Sequence, residues 1–474
     1  MDDRFTLDPP PLEREGEAFK ATRNACKLCA PLGASIAFKG ISGCVPIIHG
    51  SQGCATYIRR YLISHYKEPI DIASSNFSEA ATIFGGSDNC LLAIENVISQ
   101  YKPEVVALAS TCLSETIGDD MGLFISNFKK TTERKKLPHF VMASTPSYQG
   151  SHIDGFHEAV SAVVRAYAEE GMATNKINLF PGFVSTGDLR QLKEIFFHFE
   201  AEYILLPDYS ETLDNPVWDT YMRIPEGGTT IEEIKSAGRA KASIELGTIL
   251  NKGSLSGRVE NNGLSLSGAG YLEKRFNIKK YSTPLPIGVN LTDKYFSCIS
   301  EITGKGMPEK YSKERGRLID AYADGHKYIF GKKAVVYGEE DFVVALSAFL
   351  DEIGVAVVLA ATGGESNLFE EEVKKYCPEN RGAMEVRNVF DFEQIREWCK
   401  KNETDILIGN SKGYYISREL DIPMVRVGFP VHDRLGGQRI KHLAYTGTQE
   451  LFDKIVNTLI EYKQAHSPVG YSYM

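Results

Sequence analysis

Val105-Val106-Ala107-Leu108-Ala109-Ser110-Thr111-Cys112-Leu113-Ser114-Glu115 is the stretch whose reading decides the fold. A short continuous apolar run leads into small hydroxyl residues and a cysteine. Such a run suits a strand buried on both faces of a parallel sheet. Ligands in open α/β sheets gather outside the carboxyl ends of strands, and Cys112 stands at such an end.

The pattern recurs along the chain. Phe140-Val141-Met142-Ala143, Ile177-Asn178-Leu179-Phe180, Tyr203-Ile204-Leu205-Leu206 and Ala334-Val335-Val336-Tyr337-Gly338 are similar runs. So are Val355-Ala356-Val357-Val358-Leu359, Ile406-Leu407-Ile408-Gly409 and Met424-Val425-Arg426-Val427. Amphipathic stretches of helical length lie between them, among them Leu189 to Phe199 and Phe342 to Glu352. Strand, helix, strand in this rhythm marks α/β units. The expected architecture is three Rossmann-like domains with mainly parallel sheets, over residues 21–165, 166–325 and 326–474. Residues 1–20, with Asp8-Pro9-Pro10-Pro11, read as an extended arm. Gly253 to Asn277, rich in Gly, Ser and Asn, reads as a loop, either mobile and functional or a surface excursion.

Composition narrows the function. A chain of 474 residues is too long for one ordinary core, and 43% hydrophobic with 24% charged residues is a globular composition. No apolar run reaches the roughly 18 residues that span a bilayer, so no membrane role is expected. Met1-Asp2-Asp3-Arg4-Phe5 begins no secretory signal, and the expected compartment is the reducing cytoplasm. A net charge of -9 without a Lys/Arg block argues against a nucleic-acid surface.

Nine cysteines in a reducing compartment do not suggest a disulfide framework. Six of them (Cys26, Cys29, Cys44, Cys54, Cys90 and Cys112) crowd the first 120 residues, several beside glycine. The pair Cys26-Lys27-Leu28-Cys29 is open to three readings. Structural zinc wants a second pair or two histidines at matched spacing, and none follows. A redox pair wants a preceding strand, which Ala21-Thr22-Arg23-Asn24 is not. Iron–sulfur binding needs soft thiolates in shielded positions that can be distant in sequence, and this reading leads. Gly50 and Gly53 before Cys54, and Gly118 after Cys112, leave room and backbone N–H groups for a bulky inorganic group. Cys90, before Leu91-Leu92-Ala93-Ile94, reads as a core thiol, as do the scattered Cys298, Cys377 and Cys399; Cys44 stays open. His49, His65 and His152 read as satisfied structural histidines or, in the alternative, as groups that orient metal ligands without binding the metal. No phosphate-binding Gly-x-x-x-x-Gly-Lys loop and no Gly-x-Ser-x-Gly elbow is present, so neither ATP hydrolysis nor serine hydrolysis is expected on this chain.

Several segments, in fixed order, resemble the β-type subunit of nitrogenase component 1. They are Cys29-Ala30-Pro31-Leu32-Gly33-Ala34, His49-Gly50-Ser51-Gln52-Gly53-Cys54, Phe84-Gly85-Gly86 and Thr111-Cys112-Leu113-Ser114-Glu115-Thr116-Ile117-Gly118-Asp119-Asp120. Thr145-Pro146-Ser147-Tyr148-Gln149-Gly150-Ser151-His152, Glu226-Gly227-Gly228, Glu314-Arg315-Gly316-Arg317, Gly409-Asn410-Ser411 and Val427-Gly428-Phe429-Pro430 continue the series. The resemblance implies an α2β2 assembly with an α-type partner. It also implies an iron–sulfur P-cluster of eight irons and seven sulfurs at the subunit interface, ligated from this side by Cys29, Cys54 and Cys112. Ser147 matches a serine that approaches the oxidised cluster in some members. An ATP-dependent iron protein carrying a four-iron cluster would deliver electrons, and the active-site iron–sulfur cofactor would sit on the partner.

Three departures (Cys26, His432 and the tail Ser467 to Met474) bring the sequence nearer to nitrogenase-like relatives such as the methylthio-alkane reductases. The expected substrate is therefore N2 or, by those departures, a methylthio-alkane C–S bond. The alternative is a scaffold subunit for assembly of the nitrogenase cofactor. Such scaffolds often lack the third cysteine, which is present here as Cys112.

Overall fold

The computed structural model describes residues 26–249, 259–260, 263–264, 267–380, 382 and 384–469. The expected N-terminal arm, the first part of the Gly/Ser stretch and the end of the tail lie outside the described residues.

Three parallel sheets follow one another along the chain. The first contains β1 (Cys44–His49), β2 (Ala73–Ser74), β3 (Val105–Ser110) and β4 (His139–Ala143), in the order β2-β1-β3-β4. In the second, β5 (Ile177–Phe180), β6 (Tyr203–Leu205) and β7 (Ala242–Leu246) are followed in the chain by a separate antiparallel pair, β8 (Val259–Glu260) and β9 (Gly263–Leu264). Then β10 (Lys280–Thr283) completes the order β10-β7-β5-β6. The third holds β11 (Lys333–Gly338), β12 (Ala356–Thr362), β13 (Glu385–Arg387), β14 (Ile406–Gly409) and β15 (Met424–Arg426), in the order β13-β12-β11-β14-β15. The fold is α/β, with helices between parallel strands as the apolar runs require.

Each run read as a strand is one, and β3, β5 and β14 are buried at every position. The two amphipathic stretches form the helices Thr186–His198 and Glu340–Glu352. Seven strands among the described residues (β1, β2, β7, β8, β9, β10 and β13) lie outside those runs, and two of them run against a sequence rule. β1 carries Pro46, which lacks a ladder N–H and argues against a central strand. It is tolerated because β2 pairs only with Ile47 and Ile48, leaving that side of Pro46 open. β7 alternates apolar residues with Ser243 and Glu245, yet all five of its positions are buried.

One reading is corrected. Gly268–Phe276, expected within a loop, is a helix capped by the Ser267 side chain. Its small residues serve packing: a methyl group at Gly268 would come within 2.9 Å of the Phe180 ring and 3.3 Å of Val164.

The helix Ala30–Lys39 is buried along its whole length and crosses the helix His152–Tyr167 at backbone contact. A methyl group on Gly33 would lie 1.6 Å from the His152 carbonyl oxygen, and one on Gly155 1.9 Å from that of Ala30. Only glycine permits this approach.

Candidate metal centre

Of the nine cysteines, Cys29, Cys54 and Cys112 are exposed, while Cys26, Cys44, Cys90, Cys298, Cys377 and Cys399 are buried. The exposed three share a local setting. Cys29 is the N-cap residue of the helix Ala30–Lys39. Cys54 lies in the first turn of Gln52–Tyr66, whose cap Ser51 accepts the Gly53 N–H. Cys112 opens the short helix Cys112–Thr116, where Thr111 and Ser114 close a capping box. The positive end of a helix dipole stands beside each sulfur, most fully on the two longer helices.

The thiols are also neighbours. Burial raises the Cys54 pKa, and the charges of Cys29 and Cys112 raise it further. Ser147 joins two of the loops: its N–H donates to Cys112 Sγ at 3.2 Å, and its Oγ accepts the Ala30 N–H at 3.1 Å. Three thiolates so close repel one another unless cations stand between them. That donor set suits iron, which loads as the thiols release their protons. Among the described residues, no three His, Cys, Asp or Glu side chains converge tightly enough to hold one metal ion. All three thiols are exposed on this chain. Gly53 leaves the space beside Cys54 clear, since a methyl group there would meet only Ser51 Oγ at 3.6 Å.

Cys26 does not join the trio. It packs in the core of the third sheet with Val335, Tyr337 and Leu359, and burial pushes its thiol up to about 12. A buried thiol beside an exposed one makes neither a zinc half-site nor a redox pair. Cys44 begins β1, and Cys90 is fully enclosed in the helix Ser87–Tyr101; burial holds both thiols near 12.

His49, His65 and His152 are buried and hydrogen-bonded. His49 bonds Asp119 at 2.9 Å and Ser75 at 3.1 Å, and Asp119 also accepts the Gly86 N–H. This ties the end of β1 to the turn after Cys112. His65 Nδ1 accepts the Val431 N–H. His152 Nδ1 accepts the Leu28 N–H at 3.3 Å, while its Nε2 lies 3.2 Å from Glu339. Sequence reasoning missed Glu339, although an acidic residue directly after the apolar run Ala334–Gly338 is a signal at a strand's carboxyl end.

Where the three sheets meet, His65, Phe183, Phe342, Phe429 and His442 close around a cavity of about 20 Å³. That is room for one water. This junction is lined largely by the chain's own aromatic rings and histidines.

The profile of nitrogenase component 1 type oxidoreductases matches residues 29–460. The nitrogenase molybdenum-iron protein beta chain of Clostridium pasteurianum is 37% identical over 445 residues, covering 93% of this chain and 94% of the relative. That of Methanothermobacter thermautotrophicus is 34% identical over 447 residues, 92% of this chain and 94% of the relative. A solved structure titled "Nitrogenase Cp1 at pH 6.5" superposes with a TM-score of 0.90 at 36% identity, covering 98% of this chain and 99% of that one. A chain of "Nitrogenase Cp1 at pH 5", 16% identical, shares the fold with a TM-score of 0.69 over 97% of this chain and 95% of its own length.

Proposed function

The chain belongs to the nitrogenase component 1 type oxidoreductases, and from that premise we propose that it is the β-type subunit of a nitrogenase. It pairs with an α-type subunit in an α2β2 assembly and receives electrons from an ATP-dependent iron protein. Cys29, Cys54 and Cys112 hold its half of a P-cluster at the subunit interface. The observation that carries this reading is the selective exposure of those three thiols at helix N-termini while the other six cysteines are buried.

The cluster supplies one-electron storage in a low-dielectric interface. The chain's own residues do the rest. Ser147 braces the Cys29 and Cys112 loops against each other, and its hydroxyl would lie beside a cluster held by those two thiols. Aromatic lining of the small cavity at the sheet junction supports placing the active-site cofactor on the partner. We propose N2 as the substrate, supported by the relatives' name.

Anaerobic co-purification with the α-type partner, followed by iron analysis and EPR, tests the assignment. Iron bound at the interface and electron transfer on addition of iron protein and ATP are expected. Zinc without iron would end it. Iron that passes to another protein without turnover would favour the assembly scaffold. Assays with N2, acetylene and methylthio compounds then decide the substrate.

A further inference from the structure

Cys29 is the least locally supported of the three thiols. Cys54 and Cys112 follow capping side chains, whereas Cys29 is itself the N-cap and makes no side-chain cap bond; the first N–H of its helix goes to the distant Ser147 Oγ. Its place is set by distant partners. Cys29 forms an isolated bridge with Ser151. The His152 N–H donates to the Leu28 carbonyl at 2.9 Å, and the Leu28 N–H donates to His152 Nδ1 at 3.3 Å. Because Nδ1 accepts, Nε2 carries the ring proton and donates it to Glu339 Oε1 at 3.2 Å. Glu339 follows β11 directly, so this carboxylate belongs to the third sheet. His152 and Glu339 are both nine-tenths or more buried, and Phe183 stands edge-on to the imidazole.

We propose that His152 and Glu339 are positioning residues for the Cys29 thiolate. The carboxylate fixes the tautomer and angle of the imidazole, and the imidazole fixes the Leu28 amide one residue from the ligand. Neither touches the cluster, and the third sheet, which gives no thiol, sets through them where one of the three thiols stands. Outer groups that orient a ligand change metal retention as well as activity. This deepens the P-cluster reading and rests on it for the iron measurements below.

The test uses the anaerobically purified complex with four variants. His152→Leu removes both bonds; His152→Asn offers a carbonyl oxygen at the Nδ1 position; Glu339→Ala and Glu339→Gln remove and keep an acceptor for Nε2–H. Hydrogen exchange at the Leu28 amide and iron release to bathophenanthroline disulfonate are read together, with EPR of the oxidised complex. His152→Leu is expected to speed both by about tenfold and to alter the EPR signal, while His152→Asn stays near wild type at Leu28. Glu339→Ala is expected to speed exchange and Glu339→Gln to restore it. Wild-type rates in His152→Leu, or an Asn variant as fast as the Leu variant, overturn the proposal. Should the Leu variant not assemble, the Glu339 pair decides: equal exchange in Ala and wild type overturns it. A wild-type complex without iron would sink the electron-relay reading, and Leu28 exchange would still judge the positioning.

Discussion

Replacing Gly155 with alanine is expected to unseat Cys29 from a helix the substitution does not belong to. The added methyl group would lie 1.9 Å from the Ala30 carbonyl oxygen, 2.5 Å from its carbon and 2.8 Å from its Cα. Ordinary contact begins near 3.4 Å, so the two backbones must part by about 1.5 Å. All three obstructing atoms are main chain, and no side-chain rotation relieves them. Overpacking of this kind costs about 3 kcal/mol, the upper part of the usual range. Ala30 is bonded to Cys29, so the displacement passes to the thiol, and a site built to about 0.5 Å does not absorb it. The expected result in the purified complex is loss of most cluster iron together with a lower Tm. Gly316→Ala is the control, because nothing lies within 4 Å of a methyl group there. In the middle of the helix Glu309–Ile329 it should add about 1 kcal/mol of stability. A Gly155→Ala complex with wild-type iron and Tm would refute the backbone-contact reasoning.

Other outcomes are equally direct. Cys54→Ala and Cys112→Ala each abolish cluster assembly by iron analysis and EPR, whereas Cys90→Ala keeps full iron; full iron in the Cys112 variant would remove that residue from the ligand set. Thr111→Val deletes the hydroxyl that accepts the Ser114 N–H and donates to the His49 carbonyl. It should cost about 1 kcal/mol and raise the rate at which iron leaves to a chelator. Burial drives His65 down to about 3 and His157 to about 4. The unfolded chain takes up those protons below about pH 6.5 while the folded chain does not, so stability is full above that pH. It is then lost at about 1.4 kcal/mol per pH unit per histidine, down to about pH 4 for His157 and pH 3 for His65. Thermal unfolding of a His157→Gln complex should show a shallower decline below pH 6.5 than wild type; equal slopes would count against the assignment.

The fold was legible where burial on two faces wrote itself as a continuous apolar run, as in Val105–Ala109 and Ile406–Gly409. It was obscured where one local rule lost to its surroundings. Pro46 sits in a strand because its neighbour β2 is only two residues long, and β7 hides among buried polar residues. The Gly/Ser stretch before Asn277 looks like loop composition, yet small residues were needed there to admit a helix close to Phe180. At the site, Cys112 could be read from its place after a strand and Cys90 from its apolar neighbours. Cys26 could not. What buries it are Val335, Tyr337 and Leu359, which no local window contains. The same holds for His152, whose partner Glu339 is 187 positions away.

The clamp on residues 26–30 also bears on when metal can be loaded. Lys27 pairs with Glu365 at 2.6 Å, and the Gly363 backbone lies so close to Cys26 that a methyl group there would sit 2.5 Å from its carbonyl carbon. As the chain leaves the ribosome, Cys54 and Cys112 can take their places once the first sheet forms. Cys29 is placed in two stages: Ser147, Ser151 and His152 hold its segment from the first sheet's side, while Glu339 and Glu365 brace it from the third sheet and are made some three hundred positions later. Until those have emerged, the Cys29 segment is held from one side only. Loss of the cluster from a truncated chain would therefore report on folding order as well as on ligand chemistry.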